Sequence, residues 1–339
     1  MAISVREASL IDDEGLLSDL AHRFLDSDAD DKRFQWLYRD NPFGAARAWI
    51  AYENHGEAIG MAAIFPRKMY RDRDIVPACI LGDLCISPKY RSVGPALQLQ
   101  RSCLLCARSG EFAIAYDFPS ATMLTIYGHL GLQPIGESIR MSKTLWADKK
   151  VESIFRAPAL SRPIAAGVNV ALALGNRRLS RPTGLDFSLE TVPCGIEYSE
   201  LARRVGSSLG TCTVRSAEYL NWRYRRHPRR RYEFLSARQG DELLTYCTFT
   251  VSDGIATVAD LFGDMEPRVV TGLLLELSAL LRERGVASVN LPVLESDSRT
   301  GLLRKLGFWA REAVPVMCFA GESTLSSSEV FLMHGDRES

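Results

Sequence analysis

The chain has 339 residues, 46% hydrophobic and 24% charged, the make-up of an ordinary folded protein with length enough for two cores. Its 41 basic and 41 acidic residues cancel, so no global field favours nucleic acid or an anionic membrane. No apolar run reaches the ~18 residues of a membrane helix, the first fifteen residues lack a signal-peptide core, and the eight cysteines sit mostly in apolar contexts. These features predict a cytoplasmic protein with reduced core thiols.

In chain order, Ile3 to Arg6 is predicted as a short strand and Asp12 to Phe24 as a helix, with Leu16, Leu17, Leu20 and Phe24 on one face. Phe34 to Arg39 precedes a break at Asn41-Pro42-Phe43-Gly44. Strands Ala48 to Tyr52 and Ile59 to Phe65 follow, joined through His55-Gly56, and basic Arg67 to Asp74 reads as another hairpin. The next strand ends in Leu84-Cys85-Ile86 before turn-forming Ser87-Pro88. A tight loop, Arg91 to Ala96, leads into a helix with Ala96, Leu99, Cys103 and Ala107 at the spacing of one face. Cys103 and Cys106 are nominally a CxxC pair, but mid-helix and without a second pair they read as packing, with no metal expected. Then come a strand, Phe112 to Tyr116, a helix from Ser120 to Gly131, and a last strand around Ile139 to Leu145.

Strand, glycine loop and helix N-terminus together form an anion-binding arrangement, because Gly94 lets the backbone approach and unpaired N–H groups meet the ligand with the helix dipole behind them. The loop has neither GxxxxGK(S/T) nor GxGxxG. It resembles the acyl-CoA signature of the GNAT N-acetyltransferase superfamily, Q/R-x-x-G-x-G/A, met by Arg91, Gly94 and Ala96, with the approach Pro88-Lys89-Tyr90-Arg91 also in the superfamily's manner. The resemblance covers residues 1 to about 147, and the element order agrees with it. It implies acetyl-CoA as acyl donor, held by Cys85, Ile86, Arg91, Ser92, Val93, Gly94, Ala96 and Leu97. Superfamily members also carry an Asn, a Tyr seven residues later, and then Gly-Phe; here Ser120, Tyr127 and Gly131-Leu132 stand there. A phenol with pKa near ~10 matches a leaving thiolate, which makes Tyr127 the candidate acid, against the alternative that it only packs under the sheet. Asp83 and Asp117 are candidate acceptors for the amine's proton, since Gly82 stands where many relatives place a Glu; both aspartates could equally be structural.

The second half repeats the first. Trp36-Leu37-Tyr38-Arg39 returns as Trp222-Arg223-Tyr224-Arg225, Gly82-Asp83-Leu84 as Ala259-Asp260-Leu261, and Gly131-Leu132 as Gly307-Phe308. The expected organisation is α/β with two tandem GNAT-like mixed-sheet domains: residues 1–150, a helical linker at 151–185, and a degenerate copy at 186–339. The second copy lacks the glycine loop, having Met265 to Val270 instead, and has Leu303 at the place of Tyr127. Apolar Ile164 to Leu174, flanked by arginine, reads as a membrane-surface helix or as one packed between domains. The arginines around His227-Pro228 read either as a phosphate grip or as a solvated turn anchored by its aromatic residues.

The expected activity is transfer of an acetyl or short acyl group to a primary amine of a small molecule. A likeness to acetyltransferases encoded among surface-polysaccharide genes suggests an amino sugar. Nucleic acid is not the expected partner. Two rivals stand beside this reading: a Fem-type peptidyltransferase using aminoacyl-tRNA, which has no need of the Arg91–Ala96 loop, and an acyl-CoA sensor, which has no need of Tyr127.

Overall fold

The computed structural model describes residues 3–53, 56–146, 183–321 and 323–337. The linker expected at 151–185 lies outside them as far as residue 182, and His55 of the first hairpin lies outside them as well. Two compact units share the chain in alternating pieces. The first takes Met1–Glu137, Gly206–Arg230 and Val314–Ser339; the second takes Ser138–Val205 and Arg231–Ala313.

The elements that carry the two units, among the described residues, are β1 (Ile3–Glu7), α1 (Glu14–Phe24), α2 (Asp31–Phe34), β2 (Arg47–Glu53), β3 (Ala58–Arg71), β4 (Asp74–Ile86), α3 (Val93–Arg108), β5 (Ile114–Asp117), α4 (Ala121–His129), β6 (Gly136–Thr144), β7 (Asp186–Glu190), α5 (Ile196–Val205), β8 (Thr211–Thr213), α6 (Ala217–Leu220), β9 (Glu233–Gln239), β10 (Glu242–Ser252), β11 (Ile255–Gly263), α7 (Pro267–Glu283), β12 (Ser288–Leu294), α8 (Thr300–Lys305) and β13 (Trp309–Ala320). The segment read as a separate hairpin at Arg67 to Asp74 is the tip of one long hairpin. β3 and β4 pair as far as Arg71 and Asp74, turning at Asp72 and Arg73, both at positive φ.

In the first unit the strands run β1-β2-β3-β4-β5, antiparallel except for β4 with β5, and β13 then pairs antiparallel with β5 through Met317 and Asp117. In the second the order is β7-β9-β10-β11-β12, again with one parallel pair, β11 with β12, and β6 closes it antiparallel to β12. The two sheets repeat one topology, and each is completed by the strand that ends the other half of the sequence. The apolar spacing read for α3 is the reason it packs where it does: Ala96, Leu99, Cys103 and Ala107 are all buried, against Ile64, Leu81 and Ala115 of the sheet. On the sheet's other side, the repeated Trp motif meets itself inside the first unit. Trp36 and Trp222 stack at 5.0 Å, and each indole N–H donates to the other's carbonyl, at 2.9 and 2.8 Å. Reciprocal bonds of this kind require a local two-fold relation, the physical counterpart of the repeat in the sequence.

Candidate functional site

The site begins with a fault in the hairpin. Met61 pairs with Cys85 but Ala63 with Gly82, so Asp83 and Leu84 together face Ala62 in a β-bulge. Asp83 takes the left-handed conformation there (φ 48°). Its carboxylate is held on both oxygens, by Arg33 at 2.7 and 2.9 Å and by the Tyr38 hydroxyl at 2.8 Å. Burial and the Asp83 charge together push the Tyr38 phenol well above its ordinary pKa. Beyond the bulge, β4 stays with β3 as far as Ile86, while its pairing with β5 covers Ala78 to Ile80. The two parallel strands therefore part towards their C-terminal ends.

A cleft of about 420 Å³ lies at that end, lined by Leu84, Cys85 and Ile86 of β4, by Arg91, Ser92, Val93 and Ala96 of the loop and α3, and by the outer face of α4 together with Phe24. Arg91 is the one charged side chain in this lining and no carboxylate is present, which suits an anionic ligand. α3 starts at Val93 with Ser92 as its N-cap, and no side chain caps it. Of the first four N–H groups of a helix, which have no partner within it, Pro95 supplies none, leaving Ser92, Val93 and Gly94 as donors. A methyl group on Gly94 would meet nothing within 4 Å, and its φ does not require glycine. Neither packing nor conformation within the chain explains a glycine at this position.

The candidate residues fall into two groups. Cys85, Ile86, Arg91, Ser92, Val93 and Ala96 line the cleft; Gly94 and Leu97 follow in the same turns of α3 without lining it. Burial, and after it the Asp83 charge, raise the Cys85 thiol to about 12, which leaves it unreactive at neutral pH. Tyr127, Asp117 and Asp83 stand behind the wall. Tyr127 is 0% exposed; its hydroxyl donates to Asp117 Oδ2 at 2.6 Å and accepts from Gln100 at 2.9 Å. Ser120, at the position of the superfamily's Asn, caps α4 by accepting from the Met123 N–H. Sequence reasoning did not find Gln100, Arg33 or Tyr38, each separated from its partner by 27 to 50 residues.

The corresponding end of the second sheet carries different residues. Arg299, buried, donates to the Leu261 carbonyl at 3.1 Å and is paired with Asp297. α7 starts at Pro267 behind N-cap Glu266, and Leu303 on α8 is fully buried. The arginines around His227 disperse: Arg223 turns inward to the carbonyls of Gly335 and Arg337, and Arg229 pairs with Asp26. Among the described residues, no group of His, Cys, Asp and Glu is arranged to hold a metal.

No protein-family model matches the chain, and no curated protein matches its sequence. Its fold does match solved structures. A GCN5-related N-acetyltransferase from Anabaena variabilis superposes with a TM-score of 0.67 at 14% identity, over 95% of this chain and 73% of that one. A tandem GNAT protein from the clavulanic acid biosynthesis pathway gives 0.57 at 14%, over 95% of this chain and 100% of that one. A glucosamine N-acetyltransferase region of a fungal multi-domain β-N-acetylglucosaminidase gives 0.56 at 12%, over 94% of this chain and 38% of that one. The chain therefore has the α/β fold of the GCN5-related N-acetyltransferases, built twice.

Proposed function

We propose that the chain is an acyl-CoA-dependent N-acyltransferase with one working site, in the first unit, moving an acetyl or short acyl group to the primary amine of a small molecule. The observation that carries this is the start of α3: an uncapped helix N-terminus with three free N–H donors, beside a glycine that the chain's own packing does not need. A pyrophosphate placed there would meet those donors and the helix dipole, and Arg91 would add a charge contact.

The thioester supplies the electrophilic carbonyl. Backbone N–H groups of the parted β4 edge near Cys85 would polarise it. Asp117, at the end of β5 where the strands part, accepts the proton that the amine loses on attack. Tyr127 gives its proton to the departing sulfur and recovers one from Asp117 across their 2.6 Å hydrogen bond. One proton thus passes from nitrogen to sulfur and both side chains return to their starting state. Asp83 is committed to Arg33 and Tyr38, and its part is to hold the bulge that opens the cleft. An amino sugar is the acceptor we favour, on the likeness to the glucosamine N-acetyltransferase region.

Titration with acetyl-CoA should give one site per chain, and thiol release should appear on adding a suitable amine; two equivalent sites, or none, would overturn the reading. One observation favours a second reading, an acyl-CoA sensor without chemistry: the Tyr127 hydroxyl is buried behind the cleft wall. Binding without thiol release across a broad panel of amines would select it.

A further inference from the structure

We propose that the first unit also holds a site for one small inorganic anion of chloride size, on the side of its sheet away from α3. Tyr116 of β5 points to that side, since Ala115, its neighbour along the strand, packs with α3. The centre of the site is Arg67 on β3, 1% exposed. Its Nη1 donates to the Pro66 carbonyl at 2.9 Å and the nearby Tyr116 hydroxyl steadies its charge, whereas Nε and Nη2 are shielded from solvent and make no hydrogen bond of good geometry. The guanidinium carbon lies 5.9 Å from the Tyr219 ring centre and 5.4 Å from that of Trp222. Two more polar atoms of the same cluster are buried without a hydrogen bond of good geometry: the Tyr219 hydroxyl and Arg223 Nη1.

The charges around Arg67 do not balance. Among the described residues, Arg67, Arg215 and Arg223 are all buried here, with Asp336 as the buried carboxylate beside them. That carboxylate is already taken: its Oδ2 accepts from Arg215 at 2.9 Å and from the Met333 N–H at 2.7 Å. Tyr116 spends its hydroxyl proton on the Asp336 carbonyl, and Arg223 spends Nε and Nη2 on the carbonyls of Gly335 and Arg337. The two histidines nearby feel the same excess. Burial, then the surrounding arginines, lower both His334 and His227 to about 3, so neither adds a proton's charge near pH 7.

Asp336 acts on Arg67 but is itself held by Arg215 and Met333, so a buried guanidinium with unused donors shares its counter-charge, and one bound anion would meet the donors and add the charge. Water could accept two of the hydrogen bonds but would leave the excess positive charge in place. The donors are shielded on every side, which favours a compact halide over sulfate or a nucleotide phosphate. The site does not depend on the acyl-CoA reading, because none of its residues lines the cleft at α3.

The test uses the full chain in sodium gluconate progressively replaced by sodium chloride at constant ionic strength, with the melting temperature as readout. A ligand that binds only the folded state raises the melting temperature as its concentration rises, so the wild-type protein should melt higher in chloride, with saturation. Arg67→Met should abolish that response. Tyr219→Phe, which keeps the ring and all the charges, should raise the half-saturating chloride concentration about tenfold or more, and serves alone if Arg67→Met does not fold. Crystals soaked in bromide should show an anomalous peak between Arg67 and Tyr219. Equal melting in chloride and gluconate, an undiminished response in Tyr219→Phe, or no bromide peak at that place would each overturn the proposal.

Discussion

The C-terminal ends of the two sheets began from the same plan and now differ at almost every position that could meet a ligand. Both carry a β-bulge beside a buried aspartate, Asp83 in one and Asp260 in the other. Both continue into a helix laid over the sheet. In the first unit the space at the parted strands stays open, with Arg91 at its mouth and Gly94 in the first turn of α3. In the second, Arg299, buried, donates to the Leu261 carbonyl at the corresponding end of β11. Glu266 and Asp264 stand before α7, so the helix start that could receive a phosphate is guarded by negative charge. The comparison separates what holds the fold from what serves a ligand. Bulge, buried aspartate and helix survive in both copies, whereas the glycine, the arginine and the tyrosine survive in one.

That separation can be tested by breaking each class of residue in turn. Removing a scaffold group should have the largest effect: Asp83→Ala strands the Arg33 charge in the interior and should cost about 3–5 kcal/mol of stability, read from denaturant unfolding. A variant as stable as the wild type would return Asp83 to the list of catalytic bases. Gly94→Glu belongs to the ligand class. Its side chain enters open space, so the melting temperature should hold, while acetyl-CoA affinity falls about 100-fold or more through charge and bulk at the helix start. Calorimetry showing undiminished binding would remove the cofactor from this cleft.

Tyr127→Phe should slow turnover about 100-fold and leave acetyl-CoA affinity within about twofold, since the ring keeps its packing and only the proton is lost. Steady-state thiol release checks this, and an unchanged rate would make the Tyr127–Asp117 pair structural. The smallest effect is expected at Pro95. Alanine there restores one N–H to the ligand, worth ~1.5–3 kcal/mol, and gives up ~1 kcal/mol or less of backbone pre-ordering. Affinity for acetyl-CoA should tighten by roughly fivefold while the free protein melts slightly lower; weaker binding would mean that the turn does not face the pyrophosphate.

Local pattern made much of this legible. Helical spacing identified the buried face of α3, apolar segments between turn signals identified the strands of the first half, and the recurrence of Trp36 as Trp222 announced the duplication. The echo of Gly82-Asp83-Leu84 in Ala259-Asp260-Leu261 spoke for the duplication, while the β-bulge beside each aspartate came only with the strand register. Pairings across long stretches of chain were not legible. Nothing near Asp83 points to Arg33 fifty residues earlier, and nothing near Tyr127 points to Gln100. The hairpin tip falls inside the segment read as a hairpin, but the reading cut it off from its long strands, since Asp72 and Arg73 turn at positive φ without the glycine that usually announces such a turn. Nothing in the local sequence singles out Arg299, which is buried and paired with Asp297.

The exchange of final strands bears on how the protein is made. β5 acquires its outer neighbour from Met317 to Phe319, which leave the ribosome long after the other strands of its sheet. The first half emerges early yet must wait, with a strand edge open to any other chain that passes. A fragment ending near residue 150 would keep that edge for good and would carry β6 with no β12 to join. Synthesis therefore offers no stage at which the first half folds and is finished while the second is still being translated.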